Sequence, residues 1–144
     1  MSEIHRENDI LSLRGITEHL EHKNISENLH IYETLQSTNI IAKELVISGA
    51  AHGTAVIANG QTAGQGRFNR RFHSPGGQGI YASFVMRRDR LRFETPTLIT
   101  AFAAVCVCEA IDAVSDKRPG IKWVNDILLD NKKICGIIRL TLFR

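Results

Sequence analysis

Thr54-Ala-Val-Ile-Ala-Asn-Gly-Gln61, running on into Thr62-Ala-Gly-Gln-Gly-Arg-Phe-Asn-Arg-Arg71, is the stretch on which the fold turns. Its first half is short, apolar and β-branched, the composition of a buried strand. Its second half places glycines at 64 and 66, where a backbone can turn tightly and approach a ligand, and then guanidinium groups at Arg67, Arg70 and Arg71. Free N–H donors beside planar charged forks suit a phosphate or carboxylate. A solvated basic loop is the alternative reading of the same residues. In a dinucleotide-binding fold the glycines would open a helix; here they lead into arginines and Pro75.

Outward from this loop, Pro75-Gly76-Gly77 precedes a second strand pattern over Ile80–Met86. Upstream, Leu29–Leu35 alternates as a strand. Ser37-Thr38-Asn39 offers N-cap candidates for a helix over Ile40–Ile47, which ends before Gly49. Downstream, Leu98–Val114 is an Ala-rich apolar helix, and Pro119-Gly120 separates it from Ile121-Lys122-Trp123. Ile127–Leu129, Asp130-Asn131 and Lys132–Ile138 read as a hairpin, since Asp and Asn tolerate positive φ. Ile10, Leu11, Leu13, Ile16 and Leu20 are spaced for a short N-terminal helix, with frayed polar residues before it and the polar stretch His22–Glu27 after it. Strands and helices mix with hairpins instead of alternating strictly, so the class is α+β (mixed α/β).

A chain of 144 residues, 43% hydrophobic and 23% charged, reads as one soluble globular domain. The net charge of +3 is mild, but seven arginines between Arg67 and Arg92 face the single acid Asp89. That excess favours an anionic ligand or partner, although for Arg87–Arg92 solvated strand ends and turns are the preferred reading. Cys106, Cys108 and Cys135 form an odd set without CxxC spacing; Cys106 and Cys108 lie in an apolar run and read as buried reduced thiols of a cytoplasmic protein. Nothing has the form of a signal peptide, and no uninterrupted apolar run reaches 18 residues, so no membrane span is expected.

Lys122 lies between Ile121 and Trp123 in a short apolar strand, where an ammonium must snorkel out or meet an anion. Asn125-Asp126 is by default an Asx turn joining two strands, with ligand binding as the alternative. Trp123 is expected in the core.

Taken in order, Ser37-Thr38-Asn39, Gln61–Arg71, Gly76-Gly77 with Gly79–Ser83, and Lys122-Trp123-Val124-Asn125-Asp126 followed by Gly136 closely resemble the catalytic domain of biotin protein ligases, the biotin–[acetyl-CoA-carboxylase] ligases. The resemblance covers about residues 29–138. It implies a central mixed sheet packed with helices, in the class II synthetase-like biotin/lipoate ligase fold, with residues 29–144 as a partial catalytic domain behind a polar segment of residues 1–28. It also implies a two-step reaction: biotin and ATP give biotinyl-5'-adenylate, which is then transferred to a lysine of a biotin carboxyl carrier protein. Lys122 and Arg67 would be the catalytic residues. Ser37, Thr38, Asn39, Gln61, Gln65, Gly66, Arg67, Lys122 and Gly136 would bind biotin; Arg67, Arg70, Phe72, Lys122 and Asn125 would bind ATP or the adenylate. No protein-held metal is implied, Mg²⁺ accompanying the phosphates.

The chain departs from the family pattern at three points. Gln65 stands where arginine is common, and Phe72 where tryptophan packs on adenine. After Ile138 the chain reads Arg139-Leu-Thr-Leu-Phe-Arg144 where the family continues into further strands and a small barrel, so a C-terminal truncation is expected. Leu140, Leu142 and Phe143 would then form an exposed apolar edge that favours self-association or a homodimer. A lipoate or octanoate ligase or transferase of the same fold and an inactive biotin-binding remnant stay open as alternatives. A biotin-responsive DNA-binding repressor fits less well, because fewer than forty residues precede the Ser-Thr-Asn segment.

Overall fold

The structure is a computed structural model that describes residues 11–20, 27–92 and 95–142. The expectations for residues 1–10, for His22–Ser26 and for Phe143 lie outside the described residues. The chain divides into two compact units, residues 1–65 with 69–90 and residues 66–68 with 91–144.

The first unit is built on a mixed three-stranded sheet. Helix α1 (Leu13–Thr17) begins behind Ser12, whose Oγ accepts from the Gly15 N–H at 3.1 Å. Strand β1 (Leu29–Leu35) leads through α2 (Thr38–Ile47) to β2 (Ala55–Gln61), and β1 and β2 pair in parallel, Leu29 opposite Ala55 and Leu35 opposite Gln61. Parallel neighbours need a crossover, and α2 supplies it. Strand β3 (Tyr81–Phe84) pairs antiparallel on the other side of β2. The centre of the sheet is dry: Ala55, Val56 and Ala58 are buried, and so is Val85. The expected strand over Ile80–Met86 is therefore shorter, although Val85 continues the pattern, its N–H donating to the Thr54 carbonyl and its own carbonyl accepting from Gly53.

The second unit holds α3 (Pro96–Val114) and an antiparallel meander of β4 (Gly120–Lys122), β5 (Asp126–Leu129) and β6 (Lys132–Gly136). Helix α3 starts two residues before the first apolar position of the expected helix, because Pro96 sits in its first turn, where a missing N–H costs nothing. Asp130 and Asn131 adopt φ of 49° and 61°, the positive pair that a two-residue hairpin turn needs. Ile127 is the fully buried residue of the meander, and Ala104 its counterpart on α3.

Three expectations are corrected. Trp123 is 73% exposed, not a core residue, because it follows β4, an edge strand whose residues are all exposed. Lys122 is exposed as well, so no buried ammonium has to be compensated. Cys106 is exposed and Cys108 and Cys135 are only partly covered, all three as free thiols. The arginines from Arg87 to Arg92 lie in an exposed turn, with a 3₁₀ segment at Arg88–Arg90, as the solvated reading had it. Helix α3 has a mean hydropathy of 1.9 over Thr97–Val114 and is long and apolar enough to cross a membrane, although Glu109 and Asp112 interrupt the run.

Candidate active site

In the first unit the polar side chains converge on the start of α2. A helix leaves its first N–H groups without intrahelical partners, and Ser37 holds the N-cap position with extended φ and ψ, yet its hydroxyl makes no capping bond. The cap comes from β2 instead. Gln61 Oε1 accepts from the Thr38 N–H at 2.9 Å and from Thr38 Oγ1 at 3.2 Å. Gln61 Nε2 donates to Ser74 Oγ at 3.0 Å, and Ser74 Oγ donates to the Phe72 carbonyl at 3.1 Å. Ser83 Oγ, from β3, shares its proton between Thr38 Oγ1 at 2.8 Å and Asn39 Oδ1 at 2.7 Å.

One polar atom in this array is left over. Ser37 Oγ is fully buried and has no hydrogen-bond partner among the described residues. An unpaired buried hydroxyl costs about 1–3 kcal/mol, a cost that a ligand with a polar head group removes. The loop closes on the array because Gly64 has no side chain: a Cβ there would stand 2.4 Å from Ser74 Oγ and 2.6 Å from the Phe72 carbonyl oxygen.

In the second unit a chain of polar contacts runs from the loop into the meander. Arg67 Nη1 donates to Asn125 Oδ1 at 2.8 Å, and the Arg67 guanidinium lies 5.1 Å from the centre of the Phe68 ring. Asn125 Nδ2 donates to Asp126 Oδ1 at 2.8 Å, and Lys133 Nζ reaches the same oxygen at 2.8 Å. The Asn125 carbonyl accepts from the Ile137 N–H at 2.7 Å. Lys122 ends β4 as the register partner of Asp126, which also pairs with Gly136. Next to this array, burial pushes the Cys135 thiol up from its ordinary value; the Lys133 ammonium opposes that, and Cys108 and Asp126 add to it.

The sequence expectations thus fall into two groups. Ser37, Thr38, Asn39 and Gln61 come together in the first unit, and Arg67 meets Asn125 in the second. Gln65 forms an isolated antiparallel bridge with Arg71 that pinches the loop; Arg70 and Phe72 are exposed beyond it, and Gly66 is half-buried. Gly136 has a local role, since a Cβ there would lie 3.0 Å from Lys133 Cε and 3.1 Å from Lys133 Nζ. Sequence reasoning did not single out Ser74, Ser83 or Lys133 as site residues, and it named Asp126 only with Asn125, as the alternative to a plain Asx turn. Ser83 and Asp126 lay inside the quoted motifs; Ser74 and Lys133 carried no local signal, because only strand pairing brings them to their partners.

The family described as the Biotin/lipoate A/B protein ligase family matches residues 31–142. The chain is 41% identical over 114 residues to the bifunctional ligase/repressor BirA of Bacillus spizizenii, covering 79% of this chain and 35% of that protein. The protein of the same name from Escherichia coli is 31% identical over 86 residues, 60% of this chain and 26% of that one. The chain spans about a third of the length of the curated relatives it matches. Among solved structures, the biotin protein ligase of Aquifex aeolicus in complex with biotin and ATP superposes with a TM-score of 0.69 at 30% identity, over 80% of this chain and 47% of that one. That of Leishmania major with biotinyl-5-AMP gives 0.61 at 29% identity, over 76% and 50%. With the family pattern running through β1, α2, the arginine loop, α3 and the meander, this chain belongs to the biotin/lipoate A/B protein ligase family.

Proposed function

We propose that this chain attaches biotin to a lysine of a biotin carboxyl carrier protein, using ATP and passing through biotinyl-5'-adenylate. The observation that carries the reading is the buried array around α2, in which Ser37 Oγ stays unpaired while Thr38, Gln61, Ser74 and Ser83 satisfy one another. A ureido head group offers both a carbonyl acceptor and N–H donors, and Ser37, Thr38, Asn39 and Gln61 present the complementary groups. Gln65, Gly66 and Gly136 would line the rest of the biotin slot.

In the first step a biotin carboxylate oxygen attacks the α-phosphorus and pyrophosphate leaves. Two anions meet, and Lys122, Arg67 and Arg70 would offset their repulsion and the charge that builds at phosphorus. Arg67 and Asn125 would hold the adenylate, with the exposed ring of Phe72 against adenine. In the second step the carrier lysine amine attacks the mixed anhydride and AMP leaves. No enzyme nucleophile is required, because the amine belongs to the partner. Mg²⁺ would accompany the nucleotide phosphates, where it would offset their charge.

Residues 29–144 are taken as catalytic-domain sequence and residues 1–28 as a polar leading segment. The matched region includes α3, which we therefore read as a helix of the ligase domain of a cytoplasmic protein. This reading takes up the ligase half of the relatives' name. The test is ATP-dependent incorporation of labelled biotin, against lipoate and octanoate, into a carrier domain, together with biotin-dependent pyrophosphate exchange. Biotin alone should be incorporated; incorporation of lipoate or octanoate in its place would move the chain to the other branch of its family.

A further inference from the structure

We infer that Asp126 and Lys133 form a positioning pair that fixes the orientation of the Asn125 amide and through it aims the Arg67 guanidinium; this rests on the nucleotide role proposed for Arg67. Asn125 turns its carbonyl oxygen toward Arg67, which points its NH₂ group the other way, and an acceptor there favours this orientation over the reverse. Asp126 Oδ1 is that acceptor, at 2.8 Å. With the amide reversed, NH₂ would face guanidinium, donor against donor, and the 2.8 Å bond from Arg67 Nη1 to Oδ1 would be lost.

Asp126 is itself held. Lys133 Nζ lies 2.8 Å from the same Oδ1, and the Asp126 carboxylate is largely covered, so it cannot swing freely into water. Lys133 reaches it across Gly136, the register partner of Asp126, where any side chain would press on the last atoms of the lysine. The backbone of Asn125 is tied by Ile137. Every polar group of Asn125 that bears on Arg67 is therefore determined by the β5–β6 pair. The second support of Arg67, the Phe68 ring, is itself on an exposed turn with left-handed φ and ψ of 57° and 39°, and so leaves direction to Asn125.

The test is a double-mutant cycle in biotin-dependent pyrophosphate exchange, using Arg67→Ala, Asp126→Ala and the double variant. Asp126→Ala should lower the exchange rate about tenfold or more, the scale of a lost hydrogen bond to a charged group. If Asp126 acts through Arg67, the double variant should be no slower than Arg67→Ala. Fully additive losses would overturn the inference and leave the role of Arg67 standing. An Arg67→Ala variant with unchanged exchange would remove the underlying reading and the inference with it. Should Asp126→Ala fail to fold, Lys133→Met replaces it in the cycle. Lys133→Arg should keep most of the rate that Lys133→Met loses, and equal losses in the two would also overturn the pairing. Trypsin provides a readout independent of activity: cleavage after Arg67 should be several-fold faster in Lys133→Met, with cleavage after Lys43 unchanged.

Discussion

Ser37 carries a buried hydroxyl without a hydrogen-bond partner among the described residues. Its hydroxyl would ordinarily accept from the N–H of Asn39 or Ile40, but it makes no such bond, Ile40 donating to the Ser37 carbonyl instead, and Ser37 Oγ is left buried and idle. Ser37→Ala should therefore leave the melting temperature unchanged or slightly raised, while biotin affinity measured by calorimetry falls about tenfold. Gln61→Leu should do the opposite to stability, because it removes the acceptor of both the Thr38 N–H and the Thr38 hydroxyl; a loss of about 1–3 kcal/mol in urea unfolding is expected, with biotin binding lost as well. Lys122→Ala removes an exposed side chain, so unfolding should be unaffected and pyrophosphate exchange abolished; a variant that exchanges at the wild-type rate would take Lys122 out of the mechanism. The raised Cys135 thiol favours the protonated form in the folded chain. Any stability it contributes is present below the ordinary thiol range and lost as pH rises through the raised value. At pH 8 Cys135 should alkylate more slowly than exposed Cys106, and Lys133→Met should slow it further by removing the ammonium that opposes the shift. Peptide mapping after timed alkylation reads both.

Elements that rest on local chemistry were legible, and those that rest on neighbours were not. Leu29–Leu35 is a strand with the expected ends, and the Asp130-Asn131 turn adopts the positive φ values its residues allow. The start of α3 was misplaced because a proline in the first turn is invisible to apolar spacing. The loop after β2 is shaped by Gly64, where a methyl group would overlap Ser74 and the Phe72 carbonyl. Gly64→Ala should thus destabilise the first unit by about 1–3 kcal/mol through forced backbone displacement and weaken biotin binding by disturbing the Gln61–Ser74 bond. Gly136→Ala meets only the far end of a lysine; it should cost little stability and displace Lys133 from Asp126, visible as faster trypsin cleavage after Arg67.

Over the whole molecule the apolar surface is large. Ile80, Phe84, Phe102, Val114 and Trp123 are all substantially exposed, and so are Leu140 and Leu142. Exposed apolar side chains favour association, so sedimentation of the 144-residue chain should show concentration-dependent self-association, and Phe84→Ser or Phe102→Ser should reduce it. A monomer over the whole accessible concentration range would contradict this. The sequence by itself determined the α+β class, the strand–glycine–arginine loop and the family, because backbone preferences, strand periodicity and ordered motifs are local properties that a linear reading preserves. The family resemblance named Ser37, Thr38, Asn39, Gln61 and Arg67 for biotin, and Arg67 and Asn125 for the nucleotide. Only the tertiary structure decided that Gln61 caps α2 in place of Ser37, that Trp123 and Lys122 face solvent, and that Lys133 completes a chain to Arg67. Those outcomes depend on which strands pair, in what register and with what exposure, and pairing joins residues far apart in sequence through contacts that no local pattern encodes.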